Sequence, residues 1–133
     1  MVTVGLGVAL LYVHLESGLV AQGLLSKFHG PETDTISAHT WRSLLQTTHT
    51  HLFTLAFLQC LLGAFTLLNS LSNRAKAWLA GGGFVLIALD HAAMWMLYLY
   101  GGAWSLALMA TGTLMTGIFI LEIVASAKDL LRR

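Results

Sequence analysis

Residues 48–68, "THTHLFTLAFLQCLLGAFTLL", decide the fold of this chain. The stretch has no proline and no charged side chain. A helix needs about 20 apolar residues to cross a hydrocarbon core of about 30 Å. The apolar residues are continuous rather than alternating with polar ones, which argues against a barrel strand. The stretch therefore predicts a transmembrane helix with His49 and His51 near one end.

Three further apolar runs of similar length cover residues 4–25, 77–99 and 103–125. The 133 residues are 56% hydrophobic and 10% charged, whereas soluble domains carry about 25% charged residues. Short links make consecutive helices antiparallel neighbours. The sequence thus predicts one all-α integral membrane domain over residues 1–133, an up-down-up-down four-helix bundle.

The segment between the first two runs, residues 26–47, is the longest link. Its second part, residues 37–46 ("SAHTWRSLLQ"), predicts either a short interfacial helix or the first turns of the second membrane helix. Ser72 is a candidate N-cap for the third helix. Residues 98–104, "YLYGGAW", predict a tight turn with aromatic residues at the membrane interface.

The basic residues are distributed unequally between the two membrane faces. One face would hold Arg74, Lys76, Lys128, Arg132 and Arg133, and the other Lys27 and Arg42. Because basic residues favour the cytoplasmic side, we expect a bacterial inner-membrane protein with both termini cytoplasmic and the first link periplasmic. The first run carries His14 and Glu16 and has no basic flank before it, so we expect a retained helix rather than a secretory signal.

Several functional classes are disfavoured by what the sequence lacks. A single cysteine, Cys60, allows no intrachain disulfide, and no Cys-x-x-Cys-His motif offers covalent haem attachment. There is no phosphate-binding loop or nucleophile elbow, and the net charge of +1 gives no indication of nucleic acid binding. An electron-transfer protein is therefore favoured over a hydrolase or transferase.

Ionisable side chains inside membrane segments are costly and usually functional. The predicted helices contain seven, namely His14, Glu16, His49, His51, Asp90, His91 and Glu122. At about 1.5 Å per residue, His51 and His91 fall in the half of the membrane nearer the first link, and His14 lies near the mid-plane. Glu122 falls at the other end, where we expect it to pair with Lys128 or another subunit.

Helical geometry limits which histidines can act together. Residues two apart point about 200° away from each other, so only one of His49 and His51 can face the bundle. His51 is favoured, because leucines at 55, 58 and 62 continue its face. Asp90 is adjacent to His91 and would support it from the outer coordination shell.

Two histidines on different helices of an apolar bundle can serve as axial ligands of haem b. His91 would pair with His51 or His14, and Arg42 or Lys27 would neutralise the propionates. A copper, zinc or iron site from His49, His51, His91 and a carboxylate, with His14 as a further candidate ligand, is an alternative. A third possibility is structural, with His49 and His51 in the headgroup region and the other histidines in interhelical hydrogen bonds.

Residues 47–79, "TTHTHLFTLAFLQCLLGAFTLLNSLSNRAKAWL", and 88–97, "ALDHAAMWML", resemble small bacterial four-helix membrane proteins of no established function. The shared features are a Thr-His-x-His-Leu-Phe start of the second helix and an aspartate near a tryptophan in the third. The resemblance implies the fold and a role for His49, His51 and Asp90, but no activity.

The leading hypothesis is a small b-type cytochrome or haem-binding subunit in the lipid bilayer. It would pass electrons between a periplasmic redox protein and the quinone pool or a respiratory complex. The alternatives are a cofactor-free accessory subunit of a larger membrane complex and a copper- or zinc-handling protein.

Overall fold

The computed structural model describes residues 34–132, with side chains described from Trp41 onward. This part of the chain consists of three helices: α1 (Asp34–Leu68), α2 (Asn73–Tyr100) and α3 (Trp104–Leu131). Each contains a segment long and apolar enough to cross a membrane, and those segments are Trp41–Leu68, Asn73–Tyr100 and Trp104–Leu130. The all-α membrane architecture predicted from the sequence is therefore confirmed.

The predicted four-helix bundle is wrong. The described residues form three membrane-length helices that contact one another in all three pairings. Because α3 returns to contact α1, the interior is enclosed by three helices. The run at residues 4–25, predicted as a further helix, lies outside the described residues.

The separate interfacial helix predicted for residues 37–46 is also wrong, and the alternative weighed beside it is confirmed. These residues belong to the first turns of α1, which continues without a break to Leu68. The physical reason is that α1 contains no proline, and its only glycine, Gly63, lies near its end. Nothing in the sequence interrupts the helix between the membrane surface and the interior.

Both turns form where the sequence provides capping groups. The Ser72 hydroxyl accepts from the Ala75 amide at 3.4 Å, which confirms the predicted N-cap of α2. At the other end, the Gly101 amide donates to Leu97 O at 2.9 Å. Gly101 and Gly102 have φ of 62° and 60°, a left-handed conformation that glycine adopts without steric cost. Trp104 then begins α3, so the predicted tight turn is confirmed.

The interior of the three helices contains nearly as many polar as apolar side chains. Its buried apolar side chains are Leu44, Leu62, Ile87, Ala93, Met94, Leu97 and Phe119, and its buried polar ones are Gln59, Thr66, Asn69, His91, Ser105 and Glu122. Large apolar side chains such as Phe53, Phe57 and Trp78 point outward instead. This arrangement suits a bilayer, where lipid surrounds the bundle and polar groups pair between helices.

The two ends of the bundle differ in composition. One end of the bundle contains the start of α1, the α2–α3 turn and the residues around His51 and His91. We name it the histidine end. The opposite end, where α1 joins α2 and α3 finishes, is the basic end. Arg74 and Lys76 lie there, together with Lys128 and Arg132. The predicted grouping of these basic residues on one membrane face is therefore present in the fold.

Candidate functional site

His91 is the buried histidine of the described chain. Its side chain lies on the inner face of α2 and is only 7% exposed. The imidazole Nδ1 lies 2.8 Å from Ile87 O, one turn earlier. Since a carbonyl oxygen only accepts hydrogen bonds, Nδ1 carries the proton. Nε2 is therefore left with a lone pair, and it is buried with no hydrogen-bond partner among the described residues.

His51 lies on α1, which packs against α2. Its side chain is exposed, and it borders a groove of about 220 Å³ lined by Ser43, Gln46, Thr47, Thr50 and His51. The carboxyl group of Asp90 interacts electrostatically with both His51 and His91. The structure thus brings these three residues, all predicted from the sequence, into one region of the histidine end.

Asp90 is held in place by α3. The Thr111 hydroxyl donates to Asp90 Oδ1 at 2.9 Å. Gly112 lies beside this oxygen, and a β-carbon at that position would be in ordinary van der Waals contact with Asp90 Oδ1, at 3.6 Å. The aspartate therefore connects the histidine pair on α1 and α2 to the third helix.

His49 and Arg42 lie outside this group. Both are exposed on α1. The His49 ring packs against the ring of Phe53 one turn later, at a centroid distance of 4.8 Å, and Phe53 itself points outward. His49 and His51 thus point in different directions from a regular helix, as their spacing predicted. Both side chains are exposed in the described part of the chain, so the predicted inward orientation of His51 is not seen there.

The remaining predicted ligand, His14, lies outside the described residues, as does Glu16. Among the described side chains, residues 41–132, no group of three or more His, Cys, Asp or Glu could hold a metal ion. A copper or zinc site with three or more protein ligands would need a ligand from outside the described side chains. Haem iron needs only axial ligands from the protein, because the porphyrin supplies the other four.

An aromatic cluster covers the histidine end, and the sequence did not predict its contacts. Trp41 packs edge-on against Trp95 at 5.1 Å and also contacts Tyr98 at 5.9 Å. The Trp95 indole donates to the Thr48 hydroxyl at 3.0 Å, and that hydroxyl donates to Leu44 O at 2.8 Å. These contacts fix α1 against α2 about one turn from His51.

A second polar cluster lies nearer the basic end and was missed by sequence reasoning. Glu122 is fully buried, and its Oε1 accepts from Gln59 Nε2 at 3.2 Å and Thr66 Oγ1 at 3.3 Å. The expected pairing of Glu122 with Lys128 is wrong, because Glu122 points inward and Lys128 is exposed. A signal was available: Gln59 and Thr66 are seven residues apart, on one face of an otherwise apolar helix.

Three apolar helices of membrane length enclosing two polar clusters define an integral membrane protein. More particularly, residues 18–133 match the family model Aq_1264_TM, described as a transmembrane helical domain, and the chain belongs to that family. The membrane class implied by the resemblance noted above is thereby supported, although the histidine motif itself is not part of what the match shows. No curated protein and no solved structure matches the chain.

Proposed function

We propose that the protein is a membrane subunit that binds haem b and transfers electrons, with His91 as an axial ligand. The observation that supports the proposal is the hydrogen bonding of the two nitrogens of the His91 ring. Its Nδ1 donates to Ile87 O while its buried Nε2 has a free lone pair. Metal-ligating histidines commonly donate their second nitrogen to a backbone carbonyl in this way, which fixes the tautomer and ring orientation.

His51 is the second ligand in this proposal. It lies on the helix that packs against α2 and is within electrostatic reach of the carboxyl group that also interacts with His91. A bound haem supplies the one-electron chemistry. The residues of this chain would bind the iron, position the macrocycle between helices and adjust its potential through the charge of Asp90.

In the bilayer, the histidine end would face the periplasm. Arg74, Lys76, Lys128 and Arg132 all lie at the basic end, which favours the cytoplasmic side of a bacterial inner membrane for this end and for the C-terminus. Electrons would then pass between a periplasmic redox protein and the quinone pool or another subunit of a respiratory complex.

The test is the absorption spectrum of the protein purified in mild detergent from haem-replete cells and reduced with dithionite. We expect sharp Soret and α bands in the wild type that are lost in His91→Ala and in His51→Ala. His49→Ala is the matched control, because His49 is, like His51, an exposed histidine of α1, but its ring packs on Phe53 on a different face of the helix. Cys60→Ala, also at an exposed position, should keep the bands.

A colourless wild-type protein would refute the haem proposal. Near-stoichiometric copper or zinc in such a preparation would then support the metal-handling alternative. A colourless and metal-free protein would support an accessory subunit of a larger membrane complex. Retention of the bands in His91→Ala would remove the ligand assignment even if haem is bound.

A further inference from the structure

Buried polar atoms without partners are concentrated near the basic end. Among the described residues, five buried side-chain atoms have no hydrogen-bond partner, and one of them is His91 Nε2. The other four are Gln59 Oε1, Asn69 Nδ2, Glu122 Oε2 and Ser126 Oγ. Unpaired buried polar atoms are rare in folded proteins, and a local group of them indicates a site for water, an ion or a proton.

Two of these side chains, Glu122 and Ser126, lie on α3, and Asp129 follows them toward the membrane surface. Glu122, Ser126 and Asp129 are four and three residues apart, so they follow one face of α3. Asn69 lies at the end of α1, three residues after Thr66. We call Glu122, Ser126, Asn69 and Asp129 the Glu122 path. By helix rise, it extends about 10 Å from Glu122 to Asp129.

A groove gives the outer part of this path contact with the surroundings. It has a volume of about 160 Å³ and is lined by Phe65, Leu68, Asn69, Ser126, Asp129 and Leu130. A water molecule in the liquid occupies about 30 Å³, so the groove has room for several. Ser126 Oγ and Asn69 Nδ2, which have no hydrogen-bond partner among the described residues, are the atoms that such water would bind.

Within the part of the chain that the structure describes, Glu122 has no cationic partner. Its two hydrogen-bond donors, Gln59 and Thr66, are both neutral. Lys76, in the first turn of α2, donates instead to Leu67 O at 2.9 Å. An unpaired carboxylate inside a membrane is costly, and binding a proton removes its charge. A proton on Oε2 needs an acceptor, and water in the Glu122 path would provide one.

We propose that Glu122 is a reversible proton-binding site that exchanges protons with the aqueous phase at the basic end through Ser126 and Asn69. The proton passes from bulk water along water in the groove to Glu122 Oε2 and returns by the same route, so no bond other than O–H is made or broken. The proposal does not depend on haem binding. With the basic end in the cytoplasm, protons would be taken up from that side.

The experiment uses carbodiimides, which react with the protonated form of a carboxyl group. The carboxylic acid adds across one C=N bond of the reagent, no atom is lost, and the adduct at Glu122 is identified by peptide mass spectrometry. A lipid-soluble reagent, dicyclohexylcarbodiimide, reaches the group from the apolar phase. A water-soluble carbodiimide must enter from the aqueous side. We expect both to label Glu122 in the full-length protein, and more slowly as the pH rises.

Ser126→Leu tests the route, because the larger side chain fills the groove between Glu122 and the surface. We expect it to slow labelling by the water-soluble reagent several-fold and to leave labelling by the lipid-soluble reagent unchanged. The matched control is Ala127→Leu, which adds bulk at the neighbouring exposed position of the same helix. It should change neither rate. Glu122→Gln should lose the adduct at that position with both reagents.

Three results would overturn the proposal. If Glu122 is labelled only by the lipid-soluble reagent, it has no aqueous route. If Ser126→Leu slows both reagents equally, the change acts on packing rather than on access. If sodium chloride protects Glu122 at constant pH while choline chloride does not, the site binds a metal cation in place of a proton. Labelling by both reagents, without sodium protection and with the selective effect of Ser126→Leu, supports it.

Discussion

The side chain of Gln59 occupies the space that a β-carbon on Gly83 would need. A β-carbon built at Gly83 lies well inside van der Waals contact with the carboxamide of Gln59. The amide nitrogen of Gln59 donates to Ala80 O at 3.1 Å on α2 and to Glu122 Oε1 at 3.2 Å on α3. One side chain of α1 thus hydrogen-bonds to both other helices, and it does so because position 83 has no side chain.

Gly83→Ala is therefore expected to destabilise the protein. Overpacking a filled interior costs about 1–3 kcal/mol, and the new methyl group would push Gln59 from its hydrogen bonds. Gly81→Ala is the control, since nothing lies within 4 Å of a β-carbon there. Replacing glycine by alanine in a helix raises the free energy of unfolding by about 0.5–1 kcal/mol. The free energies of unfolding of both variants can be measured in mixed micelles. Equal effects of the two changes would contradict the close approach of Gln59 to Gly83.

The hydrogen bond from Trp95 to Thr48 should contribute measurably to α1–α2 association. A double-mutant cycle with Trp95→Phe and Thr48→Val isolates it. Interhelical hydrogen bonds in membrane proteins average about 0.6 kcal/mol, and we expect a coupling energy of that order. Thr113→Val is a control, because that exposed hydroxyl donates within its own helix to Met109 O. A coupling energy near zero would mean that the aromatic contacts alone hold this end.

Topology reporters test the orientation. Fusions within residues 69–72 and after Arg133 should report the cytoplasm, and one within residues 101–103 the periplasm. The reason is the grouping of Arg74, Lys76, Lys128 and Arg132 at the basic end. The opposite pattern would place His51 and His91 toward the cytoplasm and exclude a periplasmic redox partner.

Asp90→Asn should raise the midpoint potential of a haem bound at the histidine end. The change removes a negative charge that interacts with both His51 and His91, and this favours the reduced, less positive iron. The Thr111 hydroxyl can still donate to the remaining carbonyl oxygen at this position, so the contact between α2 and α3 is kept. Asp129→Asn, at the basic end, is the charge-matched control. A redox titration showing equal shifts in the two variants would contradict the local effect.

The membrane class and the two turns between the described helices were predictable from the sequence because they depend on local properties. Apolar runs of about 20 residues require a bilayer whatever their neighbours are. Ser72 and the glycine pair at 101 and 102 act on the backbone within a few residues, so the turns they form follow from their chemistry. The separation of His49 from His51 follows from helical rotation alone.

The number of helices in the described bundle and the interior partners of the polar side chains were decided by tertiary structure. Hydropathy reports the length of a segment but not which other segments it contacts. The start of α1 was ambiguous for the same reason, since residues 37–46 suit both an interfacial helix and the first turns of a membrane helix. Their packing settles it: Leu44 is buried, and Trp41 contacts Trp95.

Glu122 shows the difference most clearly. From the sequence it is a carboxylate six residues before Lys128, near a helix end, and a surface ion pair is the natural expectation. The fold turns it inward to Gln59 and Thr66, which are more than fifty residues away along the chain. Charge, length and hydropathy are properties of a segment and can be read from it directly. The partner of a buried polar group depends on the rotation and depth of neighbouring helices, and these are fixed only when the helices pack.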